Sequence, residues 1–183
     1  MLIGGLKGEY FNNLNLTGTP ALTRTDSVIN FDWGANSPGP GVIAPLFSVR
    51  WTGELDVPFS DTYTFYANVE AGIRLWVNDQ LLVDNWMMHH MVIEYQGKIH
   101  LEPGTYPIVM EIANLHNGWG GNVMSAQLSW ESPSIPKQII PQYALSLPVR
   151  ASSPKPANGA TDVKDTITLS WAKGDTADKH DVY

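Results

Sequence analysis

Cysteine is absent from the 183 residues, so no disulfide framework or thiolate metal site holds this chain together. Charge is scarce too, at 16% of residues against roughly 25% in an average globular chain. Positive charge is the scarcer sign: 11 Lys and Arg against 18 Asp and Glu leave a formal net charge of −7. Proteins that track a phosphate backbone need clustered Lys and Arg, which argues against nucleic acid as a partner. No apolar run approaches the roughly 20 residues of a membrane-spanning helix, which argues against membrane insertion. Residues 1–5 begin no charged-then-apolar leader, so any secretory signal is expected to have been removed or to lie outside this sequence. Catalytic signatures are missing as well: there is no Gly-x-Ser-x-Gly elbow, HExxH helix, phosphate loop or cysteine nucleophile. Glu54 with Asp56, or Glu70 with Asp84, pair as acids only on paper, because nothing in the sequence sets the separation that glycoside chemistry requires. The chain therefore reads as a module that is not itself an enzyme.

Aromatic residues fill the space left by charge, with 7 Trp, 7 Tyr and 5 Phe, beside 16 Gly and 13 Pro. Breakers at this density favour many short elements over long helices, and aromatic or β-branched runs between them read as strands. Phe47, Val49 and Trp51 alternate with polar neighbours, as do Ile73, Leu75 and Val77. Met124, Ala126, Leu128 and Trp130 give the cleanest period of two. Residues 61–66 and 106–112 read as further strands, the latter as an edge strand or with Pro107 at its start. Asn78-Asp-Gln80 reads as a hairpin turn, and because it lacks the glycine that the tightest turns prefer, its turn type is left undetermined. No window carries a helical stripe. The fold class is therefore all-β: a twisted antiparallel β-sandwich whose aromatic residues are mostly core.

Charge also divides the chain. Up to Pro148 there are 6 basic and 13 acidic residues, and beyond it 5 of each, so the whole of the −7 belongs to residues 1–148. A turn-rich stretch, Ala151-Ser-Ser-Pro-Lys-Pro-Ala-Asn-Gly159, follows this boundary. The expected organisation is a domain at 1–148, then a linker and further segment at 149–183.

Several ordered motifs carry a resemblance. Ser48-Val-Arg-Trp-Thr-Gly53, Pro58-Phe-Ser-Asp-Thr-Tyr-Thr-Phe-Tyr66, Gly72-Ile-Arg-Leu-Trp-Val-Asn78 and Leu81-Leu-Val-Asp-Asn-Trp86, with Gly5–Phe11 before them and Leu101–Tyr106 and Gln127–Trp130 after, resemble the protective-antigen-type domain over about residues 4–148. The resemblance implies a β-sandwich module of secreted or cell-surface multidomain proteins, often carbohydrate-binding or adhesive. The parent chain is then expected to have room for a separate glycoside hydrolase domain. The tail, through Pro156–Val163, Leu169-Ser-Trp171 and His180–Tyr183, resembles the opening of an immunoglobulin- or fibronectin-like domain. Such a domain needs about seven strands, so a partial one is expected to dock on a neighbour or to self-associate through exposed edges.

In sugar-binding members of that family, two successive Asp residues before the glycine of the Gly-Ile-Arg-Leu-like strand hold Ca²⁺, which holds sugar hydroxyls. The equivalent positions here are Glu70 and Ala71, ahead of Gly72. One carboxylate is lengthened and the other missing, which weighs against Ca²⁺ because oxygen ligand count sets its affinity. Glu70 and Asp84 are the metal-ligand candidates, and Asn68, Glu70 and Asp84 the polar contacts on this side. The opposing loop, Asn114-Leu-His-Asn-Gly-Trp-Gly-Gly-Asn122, offers Asn114 and Asn117 amides for sugar hydroxyls and Trp119 to stack on a pyranose ring; turn geometry alone would also explain its Gly and Asn residues. His89 and His90 are adjacent and would point to opposite faces of a strand, so a shared metal is not expected. Met87, Met88 and Met91 could form an apolar patch, although filling gaps in the core is the more usual role of methionine. The partner expected is a polysaccharide or glycan. The alternative is a structural or protein-interaction module that joins neighbouring domains or chains.

Overall fold

The computed structural model describes residues 4–87, 91–114, 124–148, 152–155 and 170–172. Two antiparallel sheets form the body. The first orders β2 (Leu22–Asp26), β1 (Leu6–Phe11), β4 (Ser48–Val57), β9 (Gly104–Ala113), β6 (Gly72–Val77) and β7 (Gln80–Asn85), with the short β12 (Leu145–Ser146) also on β4. The second orders β11 (Ile135–Ile139), β10 (Met124–Ser132), β5 (Asp61–Val69) and β8 (Ile93–Leu101), with β3 (Asn30–Gly34) also on β10. Beyond them β13 (Ser152–Lys155) pairs with β14 (Ser170–Ala172). Alternation turns Val49, Trp51, Ile73, Leu75, Met110 and Ile112 of the first sheet onto Tyr63, Phe65, Ala67, Leu128 and Trp130 of the second, all buried in one core.

At the corner where β1, β2 and β4 meet β3, the core becomes polar. Arg24, Gly8 and Trp51 share one row across β2, β1 and β4. Gly8 has no side chain, and a Cβ there would collide with Asp26 Oδ2. Over that gap Trp51 Nε1 donates to Asp26 Oδ2 at 2.8 Å, and the Tyr10 hydroxyl donates to the same oxygen at 2.6 Å. Arg24 Nε donates to Asp26 Oδ1 at 2.6 Å and Arg24 Nη2 to the Tyr10 oxygen at 2.8 Å. Its guanidinium lies over the Tyr10 ring, 4.7 Å from the centroid. Burial, with the Asp26 charge behind it, pushes the Tyr10 hydroxyl far above the ordinary phenol range, so it remains a donor. Trp33 of β3 stacks on Trp51 of β4 with planes 4° apart, which continues the contact between the sheets.

One expectation changes, and one turn left undetermined is settled. The strand bearing Pro107 is central, between β4 and β6. Proline is tolerated because the β6–β9 ladder begins only at Ile108. The Pro107 carbonyl accepts from Asn78 N at 2.9 Å on the β6 side, so its missing donor falls where no strand remains to receive it. The hairpin there is tight: Asn78 and Asp79 both take positive φ, 51° and 59°. These are the residues other than glycine that best tolerate the left-handed conformation of a two-residue turn.

β7 and β8 close one side of the sandwich. Gly97 of β8 rests on Leu82 of β7, and a Cβ at Gly97 would lie 2.6 Å from Leu82 Cβ and 2.7 Å from its carbonyl oxygen.

Replacing Asp26 with Ala removes the acceptor of three donors and leaves a guanidinium uncompensated; the expected loss is about 3–5 kcal/mol. Tyr10→Phe removes one donor to that carboxylate and the acceptor of Arg24 Nη2, and should cost about 1.5–3 kcal/mol. Guanidinium denaturation monitored by tryptophan fluorescence checks both, and equal losses would contradict the network.

Candidate functional site

Strand register decides where the connections lie. Phe11 pairs with Ser48, Ser48 and Gly72 both pair with Ala113, and Ile73 pairs with Asn85. On the second sheet Gly34 pairs with Met124, and Val69 pairs with both Ala126 and Ile93. The strand ends joined by the β1–β2, β3–β4, β5–β6, β7–β8 and β9–β10 connections therefore all lie at one pole. Gly4 bridges Ser146, and β12 pairs with Glu54 and Leu55. The way into the sandwich and the way out of it thus lie side by side, toward the other pole.

Glu70 sits in the two-residue crossing from β5 to β6, 7% exposed, with its backbone N donating to the Ser125 carbonyl at 3.4 Å. Asn114 follows β9 directly and is wholly buried. Its side-chain amide donates to the Pro45 carbonyl at 2.7 Å and its backbone N to Phe47 at 3.1 Å. It therefore fixes the loop ahead of β4. Asn68 and Asp84 lie on opposite outer faces. Asn68 Nδ2 faces Gln127 Oε1 at 3.5 Å, and Gln127 Nε2 donates to Asn30 Oδ1 at 2.9 Å, an amide row across β5, β10 and β3. Asp84 stands on the outer face of the first sheet, where Arg74 Nε reaches its carboxylate at 3.3 Å. The pole thus brings together Glu70, Asn114 and the segment after Asp84, while Asn68 and Asp84 flank it from either side. Asn117, Trp119, Met88, His89 and His90 lie outside the described residues. Met87 and Met91 do not fill the core; they are 65% and 66% exposed at this pole.

A second group escaped the sequence reading. Arg50, Glu111, Arg74 and Asp84 occupy one row across β4, β9, β6 and β7, with Glu9 of β1 opposite Arg50. Signs alternate along the row. Arg50 Nε meets Glu111 Oε1 at 2.7 Å and Arg74 Nη1 lies 3.8 Å from Glu111 Oε2. The Trp86 ring covers the Arg74 guanidinium, 4.4 Å from its centre. Each member is the outward residue of its strand, a signal visible in sequence; only the register aligns them.

The Ca²⁺ that the family resemblance implies requires six to eight oxygens. Among the described residues the pole offers side-chain oxygens from the Glu70 carboxylate, the Asn114 amide and the buried Ser125 hydroxyl, no ligand at Ala71, and an Asp84 already facing a guanidinium. The described side chains alone do not make up a Ca²⁺ ligand set. Among the described residues no group of three or more His, Asp or Glu side chains stands where it could hold a metal, and no helix is long and apolar enough to cross a membrane.

Two facing antiparallel sheets joined by crossings at both poles, the longer connections at one of them, define the protein-fold class. Within that class the chain belongs to the PA14 domain family, whose model matches residues 4–144. It is 37% identical over 167 residues to the anti-sigma-I factor RsgI3 of Acetivibrio thermocellus, covering 91% of this chain and 23% of that protein. The chain thus spans about a quarter of that relative, and the match runs past residue 148 into the tail. An anti-sigma factor domain-containing protein from Clostridium clariflavum has a solved structure with TM-score 0.69 and 37% identity, covering 82% of this chain and 50% of that one. A PA14 sugar-binding domain from an RTX adhesin superposes with TM-score 0.60 at 16% identity, over 79% of this chain and 98% of that one, a likeness of fold.

Asn114→Ala should cost about 1 kcal/mol, because the Pro45 carbonyl loses one of its two donors and keeps only the Phe47 amide. Hydrogen exchange should speed up at the Phe47 and Asn114 amides and stay unchanged at Gly97. Uniform acceleration would contradict a local tether.

Proposed function

We propose that this chain is a non-catalytic carbohydrate-binding module of a secreted or surface-exposed multidomain protein. Its site would be the pole where Glu70, Asn114 and the segment after Asp84 meet, with Asn117 and Trp119 as sugar contacts and Asn68 and Asp84 at the flanks. The observation that supports this most is the topology. Five connections gather at one pole while both ends of the domain leave toward the other, so the pole faces away from whatever precedes and follows. The RTX adhesin domain that shares this fold is a sugar-binding one, in keeping with a glycan ligand. The domain ends near residue 148, and the paired β13 and β14 begin the next, immunoglobulin-like unit.

A second reading, a protein-interaction module, draws on the anti-sigma relatives and on the exposed Met87 and Met91. The two readings separate in a glycan array followed by calorimetry in Ca²⁺ and in EDTA. The proposed function expects saturable glycan binding that survives EDTA, since the described donor set does not fit the ion. No binding to any plant, bacterial or host polysaccharide, with concentration-dependent association by ultracentrifugation, would favour the second reading.

A further inference from the structure

The outer face of the first sheet carries a row that the loop pole does not explain. Beside the alternating ladder lies an apolar row, Val109 of β9, Trp76 of β6 and Leu81 of β7, in register across three strands. Trp76 is half-buried, and Leu81 is 47% exposed. Arg74 and Trp76 are two residues apart on β6 and so share the outward face. Trp86 follows Asn85, the partner of Ile73, so its backbone lies level with Gly72 while its ring leans over Arg74. Two tryptophans therefore bracket one arginine along the strand. Their backbones are four register positions apart, about 13 Å at strand rise, the length of a short oligosaccharide. Trp86 leads straight into the loop pole.

From this placement we infer that the outer face of β6 is an extended contact strip for an uncharged polysaccharide chain, running from the loop pole across Trp86 and Arg74 to Trp76. Pyranose rings present C–H faces that pack on indole planes and hydroxyls that both donate and accept. The strip meets both needs. Arg74 supplies donors and the exposed Asp84 supplies acceptors, on the adjacent strands β6 and β7. The alternation of sign along the ladder argues for an uncharged polymer. Each guanidinium already faces a carboxylate, so the face holds no block of one sign to attract a polyanion. This inference rests on the carbohydrate reading above and extends it from an end-on site to a chain laid along the sheet.

The test is affinity electrophoresis of the full chain through gels containing xylan, galactomannan or mixed-linkage glucan. Trp76→Ala and Trp86→Ala probe the strip, and Trp119→Ala probes the loop. The inference expects retardation of the wild type by at least one polymer. It expects each strip variant to weaken that binding about tenfold, with recovery in Trp76→Tyr and Trp86→Tyr, which keep an aromatic plane. Folded strip variants that bind like wild type while Trp119→Ala abolishes binding would overturn the strip and leave the loop-pole reading standing. A wild type retarded by none of the three polymers overturns the strip; the glycan array then decides the fate of the broader reading. If the alanine variants do not fold, indole N–H shifts of the wild type with xylohexaose, mannohexaose or mixed-linkage gluco-oligosaccharide decide: movement of the Trp76 and Trp86 signals supports the strip, and their constancy overturns it.

Discussion

The carboxylate of Asp26 is the point on which this sandwich turns. Trp51 lies at the centre of the first sheet and stacks on Trp33 from the second, so its orientation helps set how the sheets meet. That orientation is fixed by one hydrogen bond to Asp26 across the space left open by Gly8. Buried charge is costly unless it is paired and fully hydrogen-bonded. Here Tyr10 and Arg24 complete the pairing, and Arg24 also donates to the Pro38 carbonyl at 2.9 Å, tying down the long connection ahead of β4. A polar cluster at one corner of the core thus anchors a loop of the candidate pole.

The two outer faces use polarity differently. The second sheet shows an amide row and a Tyr66 ring that covers the Lys137 ammonium, 3.7 Å from its centroid. Tyr66 donates to Glu131, which raises the pKa of its hydroxyl. The first sheet shows ion pairs in sequence with tryptophan beside them. Partly exposed pairs add little individually to stability, so the ladder matters more as an ordered set of donors and acceptors than as reinforcement. Glu111, 7% exposed between two arginines, is the exception, because burial strengthens its coupling to both.

Much of the fold was legible in the sequence because alternation is a local signal. Residues 48–57, 61–69, 72–77 and 124–132 announce their strands through a period of two, and the resemblance supplied their order. β8 was not legible: Glu94, Gln96, Lys98 and His100 face solvent, while Tyr95 and Gly97 interrupt the apolar face. The centrality of Pro107 depends on where β6 ends, which one strand cannot show. The candidate site divides the same way. Glu70 and Asn114 stand out by position, but burial and the tether to Pro45 are tertiary facts. Asp84 stands out as a carboxylate, yet its partner Arg74 belongs to another strand. Register converts scattered outward residues into a row, and register is what a single sequence leaves open.

On the proposed function, ligand is held at the loop pole and along β6, far from where the chain enters and leaves the domain. Amide hydrogen exchange with and without a saturating polysaccharide from the array distinguishes this placement from any other. Slowed exchange should concentrate at residues 70–77, 84–92 and 113–124 and be absent at 58–60, 102–103 and 133–134. Protection confined to those last three turns, or to the region around Gly4 and Ser146, would contradict it.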